Sequence, residues 1–196
     1  MSTGWLLIDY QNLHFSAGDV FEPHGTPPED YLVHPDRFAA QVEVEWQNKF
    51  AQPLEIRRVD VFRGLPDPRK EGALNGHVSR QNRLWTSGRV NVYTRALRYP
   101  RDWPNSRAEE KGIDVLLALS FFRAVLVKKS DYVILASRDT DLVPALEMAE
   151  TAVPGRAAIA TWSGSSVLRP KTANQIPTVQ LGRAAYEKTL AEHDGS

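Results

Sequence analysis

The apolar residues of this chain fall in blocks separated by charged and turn-forming stretches. Five blocks are short and rich in β-branched residues: Trp5–Ile8, Leu54–Phe62, Val90–Thr94, Tyr132–Ala136 and Ala157–Trp162. Several show no polar alternation, the pattern of strands buried on both faces of a parallel sheet. Helical periodicities lie between them. Phe38, Val42, Trp46 and Phe50 recur every four residues, and Leu74, Val78, Gln81 and Trp85 form a weaker stripe. Ile113 to Val127 is apolar nearly all round, so this helix is expected to be deeply buried or to face a partner, a homo-oligomer being one way to do so. Leu142 to Glu150 predicts a short helix, with Pro144 tolerated in its first turn. Arg183 to Glu192 predicts a closing helix.

Strand and helix alternate throughout, which predicts an α/β fold: a doubly wound, mainly parallel sheet with helices on both faces. The 196 residues suit one domain, 1–196, with its core over about 4–182 and a closing helix and tail over 183–196. Sheets of this kind carry their sites beyond the carboxyl ends of the strands, where strand order reverses. Two stretches read as long loops, Ala17–His34 and Arg98–Gly112, and loops of that length are functional or disordered.

Composition narrows the chemistry. There is no cysteine, which excludes disulfides and thiolate–zinc sites. No apolar run approaches the roughly 20 residues of a membrane helix, and Trp5-Leu6-Leu7-Ile8 lacks the flanks of a signal peptide. A cytoplasmic protein with no membrane partner is expected. The net charge is zero, but between Ala51 and Arg107 twelve basic residues face five acidic ones. Most are arginines, which suit bidentate phosphate contacts. The excess is either a nucleic-acid-binding surface or a solvated one whose charges balance in three dimensions.

Aspartates stand where strands end. Asp9 closes the first strand in Ile8-Asp9-Tyr10-Gln11-Asn12-Leu13; a turn or helix cap is the plain reading of such a residue. The fourth strand ends in Ser137-Arg138-Asp139-Thr140-Asp141. Asp141 is well placed to cap the next helix, which leaves Asp139 over. If the first and fourth strands are neighbours, Asp9 and Asp139 face each other and repel unless a cation neutralises them. Magnesium fits, because it takes oxygen ligands and keeps waters for substrate phosphates. Asp114, in Lys111-Gly112-Ile113-Asp114-Val115, is a further carboxylate, with the N-cap of the apolar helix as its ordinary role.

Taken in order and spacing, Ile8-Asp9-x-x-Asn12-Leu13, Lys111-Gly112-Ile113-Asp114-Val115 and Ser137-x-Asp139-x-Asp141-Leu142-x-Pro144 resemble the motifs of NYN-domain, PIN-like nucleases, particularly the LabA-like branch. The resemblance spans about residues 5 to 181. It implies a PIN-like, Rossmannoid three-layer α/β/α sandwich and RNA cleavage dependent on Mg2+ or Mn2+, leaving 5′-phosphate and 3′-hydroxyl ends. It carries metal binding to Asp9, Asp114 and Asp139, with Asp141, and makes Asn12 a site residue that orients a ligand water or the first loop. Lys111 is placed to neutralise a phosphate oxygen, and Ser137 and Arg138 to meet substrate beside Asp139. On the second long loop, Arg98, Arg101 and Arg107 suit phosphates, while Tyr99 and Trp103 either stack on bases or pin the loop to the body.

The chain departs from the family pattern at three positions. Ser120 stands where a second aspartate is common in the buried helix, Arg138 where glycine is usual, and Asn174 where the last motif has aspartate. These departures motivate an alternative: a catalytically weakened or inactive nucleic-acid-binding protein of the same fold. A phosphatase-like α/β enzyme is a third reading, but no lysine has a convincing supporting place. The phosphate-binding glycine motifs of nucleotide folds are absent, and His14, His24, His34, His77 and His193 lack zinc-like spacing.

Overall fold

The first strand, β1 (Ser2–Asp9), forms the middle of a six-stranded sheet because both its faces are apolar. Leu6 and Ile8 enter the core on one face, and Leu7 enters the core on the other, with Trp5 partly buried beside it. The structure, a computed structural model, describes residues 1–86 and 88–190. The remaining strands are β2 (Leu54–Leu65), β3 (Val90–Ala96), β4 (Tyr132–Ala136), β5 (Ala157–Trp162) and β6 (Thr178–Leu181). All adjacent pairs are parallel, in the order β3-β2-β1-β4-β5-β6. Strand order therefore reverses between β1 and β4, whose register pairs Ile8 with Ala136. Parallel pairing requires crossovers; helices supply all of them but the last, where the coil 163–177 joins β5 to β6.

Six α-helices flank the sheet among the described residues, making three layers. On one face lie α1 (Tyr10–Phe21), α2 (Pro35–Phe50) and α6 (Arg183–Thr189), packed on Leu6, Ile8, Val59 and Val61. On the other lie α4 (Ile113–Val127) and α5 (Val143–Ala152), packed on Leu7, Val133, Leu135 and Ile159. The last, α3 (Gly72–Trp85), contacts β2 and β3. Trp162 is fully buried among Phe21, Phe38 and Tyr186, with ring centroids 5.0 to 5.7 Å from its own. Each such pair adds about 0.5–1.5 kcal/mol to area burial. The Trp162 indole nitrogen also donates to the Leu13 carbonyl at 2.9 Å, which fixes the start of α1 against β5.

Several expectations are corrected. The stretch 17–34 is not one long loop: α1 continues to Phe21, and Pro28–Tyr31 forms a 3-10 turn. Deep burial of the helix over Ile113–Val127 is overturned, for Val115 and Leu119 are 60% and 64% exposed; of the two expected arrangements, a face turned to a partner is the one this exposure leaves. An apolar residue all round a helix thus reports composition, not depth. A sixth strand, only four residues long, escapes the apolar pattern because Thr178 and Gln180 interrupt it. The closing helix ends at Thr189; residues 191 and 192, and His193, lie outside the described residues. The loop 98–112 carries a single antiparallel bridge, Arg98 to Glu109. Among the described residues, no helix is long and apolar enough to cross a membrane.

Candidate functional site

Strand order reverses between β1 and β4, the place where sheets of this kind carry their sites, and side chains from the two strand ends are joined there. Asp9 is the last residue of β1 and the N-cap of α1, its Oδ1 accepting from the Asn12 amide at 3.2 Å. Asn12 in turn accepts from the Arg138 amide at 2.9 Å, tying the loop after β4 to the first turn of α1. Ser137 is buried; its hydroxyl donates to Asp9 Oδ2 at 3.0 Å and accepts from the Asp139 amide at 3.1 Å. Asp139 then caps the 3-10 turn Thr140–Leu142 by accepting from the Asp141 amide at 3.0 Å.

The carboxylates repel one another here. Asp9 is only 8% exposed. Desolvation pushes its pKa up to about 6, with Asp139 and Asp114 adding repulsion and the Asn12 and Ser137 hydrogen bonds opposing it. Glu110, in the loop before α4, is also raised, first by desolvation and then by Asp9 and Asp114. Its Oε1 accepts from the Gly64 amide at 2.5 Å, and the Arg63 charge opposes the rise. Position 64 needs glycine for this approach, since a Cβ there would lie 2.3 Å from Leu97 and 2.6 Å from Glu110 Oε1. With its amide nitrogen turned to the carboxylate, Gln11 donates to both Glu110 oxygens at 3.0 and 3.2 Å.

Asp9, Asp139 and the pair Glu110 and Asp114 thus come to one region from three chain segments. Among the described residues, no group of three His, Asp or Glu side chains is placed to hold a metal ion by itself. An all-protein cage is therefore not built here. A hard cation that takes one or two carboxylates directly and fills its shell with water and phosphate oxygens suits the donor set, and magnesium binds in this way.

The other expected residues divide. Asp114 is not the helix cap: Gly112, at φ 74°, holds that position, and Asp114 sits in the first turn, where the helix dipole favours a carboxylate. Asp141 is not the cap either. Among the described residues, the α5 helix starts after Leu142 with no side-chain cap, Asp139 caps the 3-10 turn before it, and Asp141 is exposed. Ser137 has its hydroxyl occupied by the two aspartates, which makes it a positioning residue for Asp9. Arg138 reaches back to α1 and pairs with Asp19 at 2.6 Å. Lys111, Arg98, Arg101 and Arg107 are exposed. Trp103 meets the Tyr99 ring edge-on at 5.6 Å, and the Lys70 ammonium lies over both rings. Tyr99 accepts from the Asp67 amide and donates to Glu71, so the loop is pinned to the start of α3. Asn174 donates to Glu150 at 3.2 Å on α5. Ser120 lies six residues after Asp114, about 240° round the helix at 100° per residue, so the two do not share a face. His14 is buried and kept neutral, its pKa lowered to about 4 by desolvation and by Arg63.

Sequence reasoning missed Glu110, Gln11 and Arg63. Glu110 sits in the charged run Arg107-Ala-Glu-Glu-Lys111, which reads as a solvated loop, and only the fold turns it inward.

A scan against protein-family models finds no match to the chain, and a search of curated proteins finds none. Among solved structures, the chain is similar to a protein of unknown function from Vibrio parahaemolyticus RIMD 2210633, at 15% identity and a TM-score of 0.45, with 82% of each chain covered. That similarity assigns neither a family nor an activity.

Proposed function

We propose that this protein is a metal-dependent ribonuclease of the PIN-like, NYN-domain kind, its three-layer sandwich being the PIN-like version of that architecture. The observation that carries the reading is the convergence of Asp9, Asp114, Asp139 and Glu110 at the β1–β4 reversal, with Asp9 buried among acids and given only neutral hydrogen-bond donors. The order and spacing of the three aspartate motifs support it further.

In this reading Asp9 and Asp139, at adjacent strand ends, are the carboxylates that hold a magnesium or manganese ion, and Asp114 completes the charge from α4. Bound there, the ion would polarise a scissile phosphate and lower the pKa of a coordinated water. Ser137 and Asn12 keep Asp9 oriented, which is the role of second-layer partners around metal ligands. The exposed Arg98, Arg101 and Arg107 supply cations for the RNA backbone, and Lys111 stands just before the Asp114 turn. Products with 5′-phosphate and 3′-hydroxyl ends follow from the family resemblance. Asp141, exposed, serves at most through water.

A second reading is favoured by one observation: among the described residues, no three carboxylates stand ready for a common ion. A binder that lost catalysis would look the same. Incubating the purified protein with labelled RNA and DNA, in manganese, magnesium or chelator, separates the two. Cleavage of RNA in metal and its loss in chelator is the expected result. RNA bound but uncut in both metals would replace the nuclease with the binder.

A further inference from the structure

Beside the carboxylates, a cavity of about 290 Å³ opens between α1, the end of β2 and α3. Its volume is at the lower end of the roughly 300–1,000 Å³ typical of small-ligand clefts, so it takes one ring system rather than an extended molecule. Its walls are mostly apolar. Tyr10 and Phe15 line it from α1 and Leu74 from α3; Phe15 and Leu74 are exposed at its rim although both are large and apolar.

Besides the exposed Glu29, two charged groups line this cavity, and they do not pair with each other. The Arg63 guanidinium lies over the rings of Tyr10 and Trp85, at 4.7 and 5.0 Å from their centroids. Its Nη1 donates to Gln81 and Asn82, both at 3.2 Å and both neutral. Among the described residues, its Nε and Nη2 have no protein acceptor. Glu110 lines the same cavity, held by the Gly64 amide and by Gln11, again neutral donors. The two side chains attract each other, yet among the described residues they form no direct ion pair. A half-buried arginine and a half-buried glutamate held apart by neutral groups set hydrogen-bond donors and acceptors along one cavity. Groups so placed offer a ligand that enters the cavity charge-assisted hydrogen bonds in place of those made to water.

We infer that this cavity is a guanine subsite, with Arg63 donating to O6 and N7 of the base and Glu110 accepting from N1–H and the exocyclic amine. Guanine is the base whose rim sets two acceptors beside two donors, and an arginine fork on O6 and N7 is its commonest specific contact. Phe15 and Leu74 flank the ring as it enters, and the Tyr10 side of the cavity gives it an aromatic wall. Tyr10 follows Asp9 directly, and Glu110 acts electrostatically on Asp9, so the subsite adjoins the carboxylates. The inference rests on the nuclease reading in one respect: there, the base belongs to a nucleotide beside the cleaved bond.

The test uses nucleosides, which carry no phosphate to be repelled by the carboxylates. Guanosine, adenosine, cytidine and uridine are titrated into the protein in chelator, followed by ligand-detected NMR and by the fluorescence of the tryptophans. Guanosine is expected to bind roughly 5- to 150-fold tighter than the other three, the discrimination of one good bidentate pair. Leu74→Trp, a substitution at the exposed rim, should remove guanosine binding without lowering the melting temperature. Arg63→Lys keeps the charge and loses the fork, and should erase the preference for guanosine. Equal binding of the four nucleosides, no binding, or guanosine binding untouched by Leu74→Trp each overturns the subsite. Cleavage of RNA with no guanosine binding removes the subsite and leaves the nuclease. Guanosine binding without cleavage removes the nuclease and leaves the subsite.

Discussion

Asp9 and Asp60 are buried aspartates on neighbouring strands, and they are supplied in opposite ways. Asp60 is 2% exposed in the body of β2, where it pairs in register with Leu7 of β1. Three donors surround it: the Arg58 guanidinium and the Trp5 indole nitrogen, both at 2.9 Å, and the Asn91 amide at 3.2 Å. Arg58 is itself stacked on Trp5, 4.3 Å from its ring. Two residues further along the sheet, Asp9 receives only neutral donors, and the charges around it are acids. A buried carboxylate that serves the fold brings its own cation. One that the fold leaves among like charges is stabilised when a cation arrives from outside.

The sharpest way to break this comparison is Asp9→Asn. Asparagine keeps one oxygen for the Asn12 amide, places an amide nitrogen that can donate to the Ser137 hydroxyl oxygen, and loses the charge. Metal-dependent RNA cleavage should fall by at least about 100-fold, the upper end of what even second-layer partners contribute, while the melting temperature does not drop. Wild-type turnover in this variant, after contaminating nuclease is excluded, sinks Asp9 as a ligand.

The next effect is on stability and pH in chelator. The folded-state pKa of Asp9, about 6, stands above the ordinary 3.8, so between those values the folded protein holds its proton more tightly than the unfolded chain does. Stability from this group is therefore greatest below pH 4, falls as pH rises toward 6, and is level above that. The full difference is on the order of 3 kcal/mol. Urea titrations at pH 4.5 and 7.5, in wild type and Asp9→Asn, isolate it: the variant should lack this part of the slope. Manganese at pH 7.5 should return stability to the wild type only. Identical pH slopes in the two proteins would mean that Asp9 is not strained by burial.

Much of this arrangement is legible in the sequence. An aspartate at a strand end can cap the helix or turn beyond it, whereas one inside a strand, as Asp60 is, needs a cation and donors of its own, and that rule locates Asp9 and Asp139. The α/β alternation then places both at one edge, and β1 and β4 do pair. The cap assignments are less legible. Gly112 takes the N-cap two residues before Asp114, and Asp139 caps the 3-10 turn two residues before Asp141, because a shift of two residues in where a helical turn starts changes which side chain is left over. Glu110 and Arg63 are not legible at all, since their roles depend on a close approach across Gly64 that links residues far apart in the chain. The end of α1 falls inside the stretch from Ala17 that reads as a loop, where Gly18 and Asp19 stand together. Gly18 is there for another reason: a Cβ would lie 2.3 Å from the Tyr31 hydroxyl.

A smaller effect sharpens the comparison from the other side. Asp60→Asn should lower stability by about 1–3 kcal/mol, the range for a buried polar group left badly paired. The amide oxygen still accepts from Trp5, but the amide nitrogen then meets the Arg58 and Asn91 donors. Cleavage per folded molecule should not change. A stability loss in Asp9→Asn larger than that in Asp60→Asn would reverse the assignment of the two aspartates.

The smallest effect concerns Arg138, where the resembling family has glycine. Its guanidinium is 2.6 Å from Asp19, with side chains 32% and 60% exposed. A pair as open as this contributes only about 0–1 kcal/mol, because solvent screens it and two long side chains are held still. The amide of Arg138, not its side chain, makes the tie to Asn12, so Arg138→Ala keeps the geometry around Asp9. Stability should fall by no more than about 1 kcal/mol. Asp19→Asn should give a similar loss, and the double variant less than the sum, since both remove one interaction. The same variants decide whether this arginine serves substrate. If it stays on Asp19, the salt dependence of RNA affinity is the same in wild type and Arg138→Ala. If it leaves Asp19 for a backbone phosphate, the variant's slope is shallower by about 0.7 log units per decade of salt. The short ion pair favours the first outcome. A shallower slope would move Arg138 from the support of the first helix to the grip on RNA.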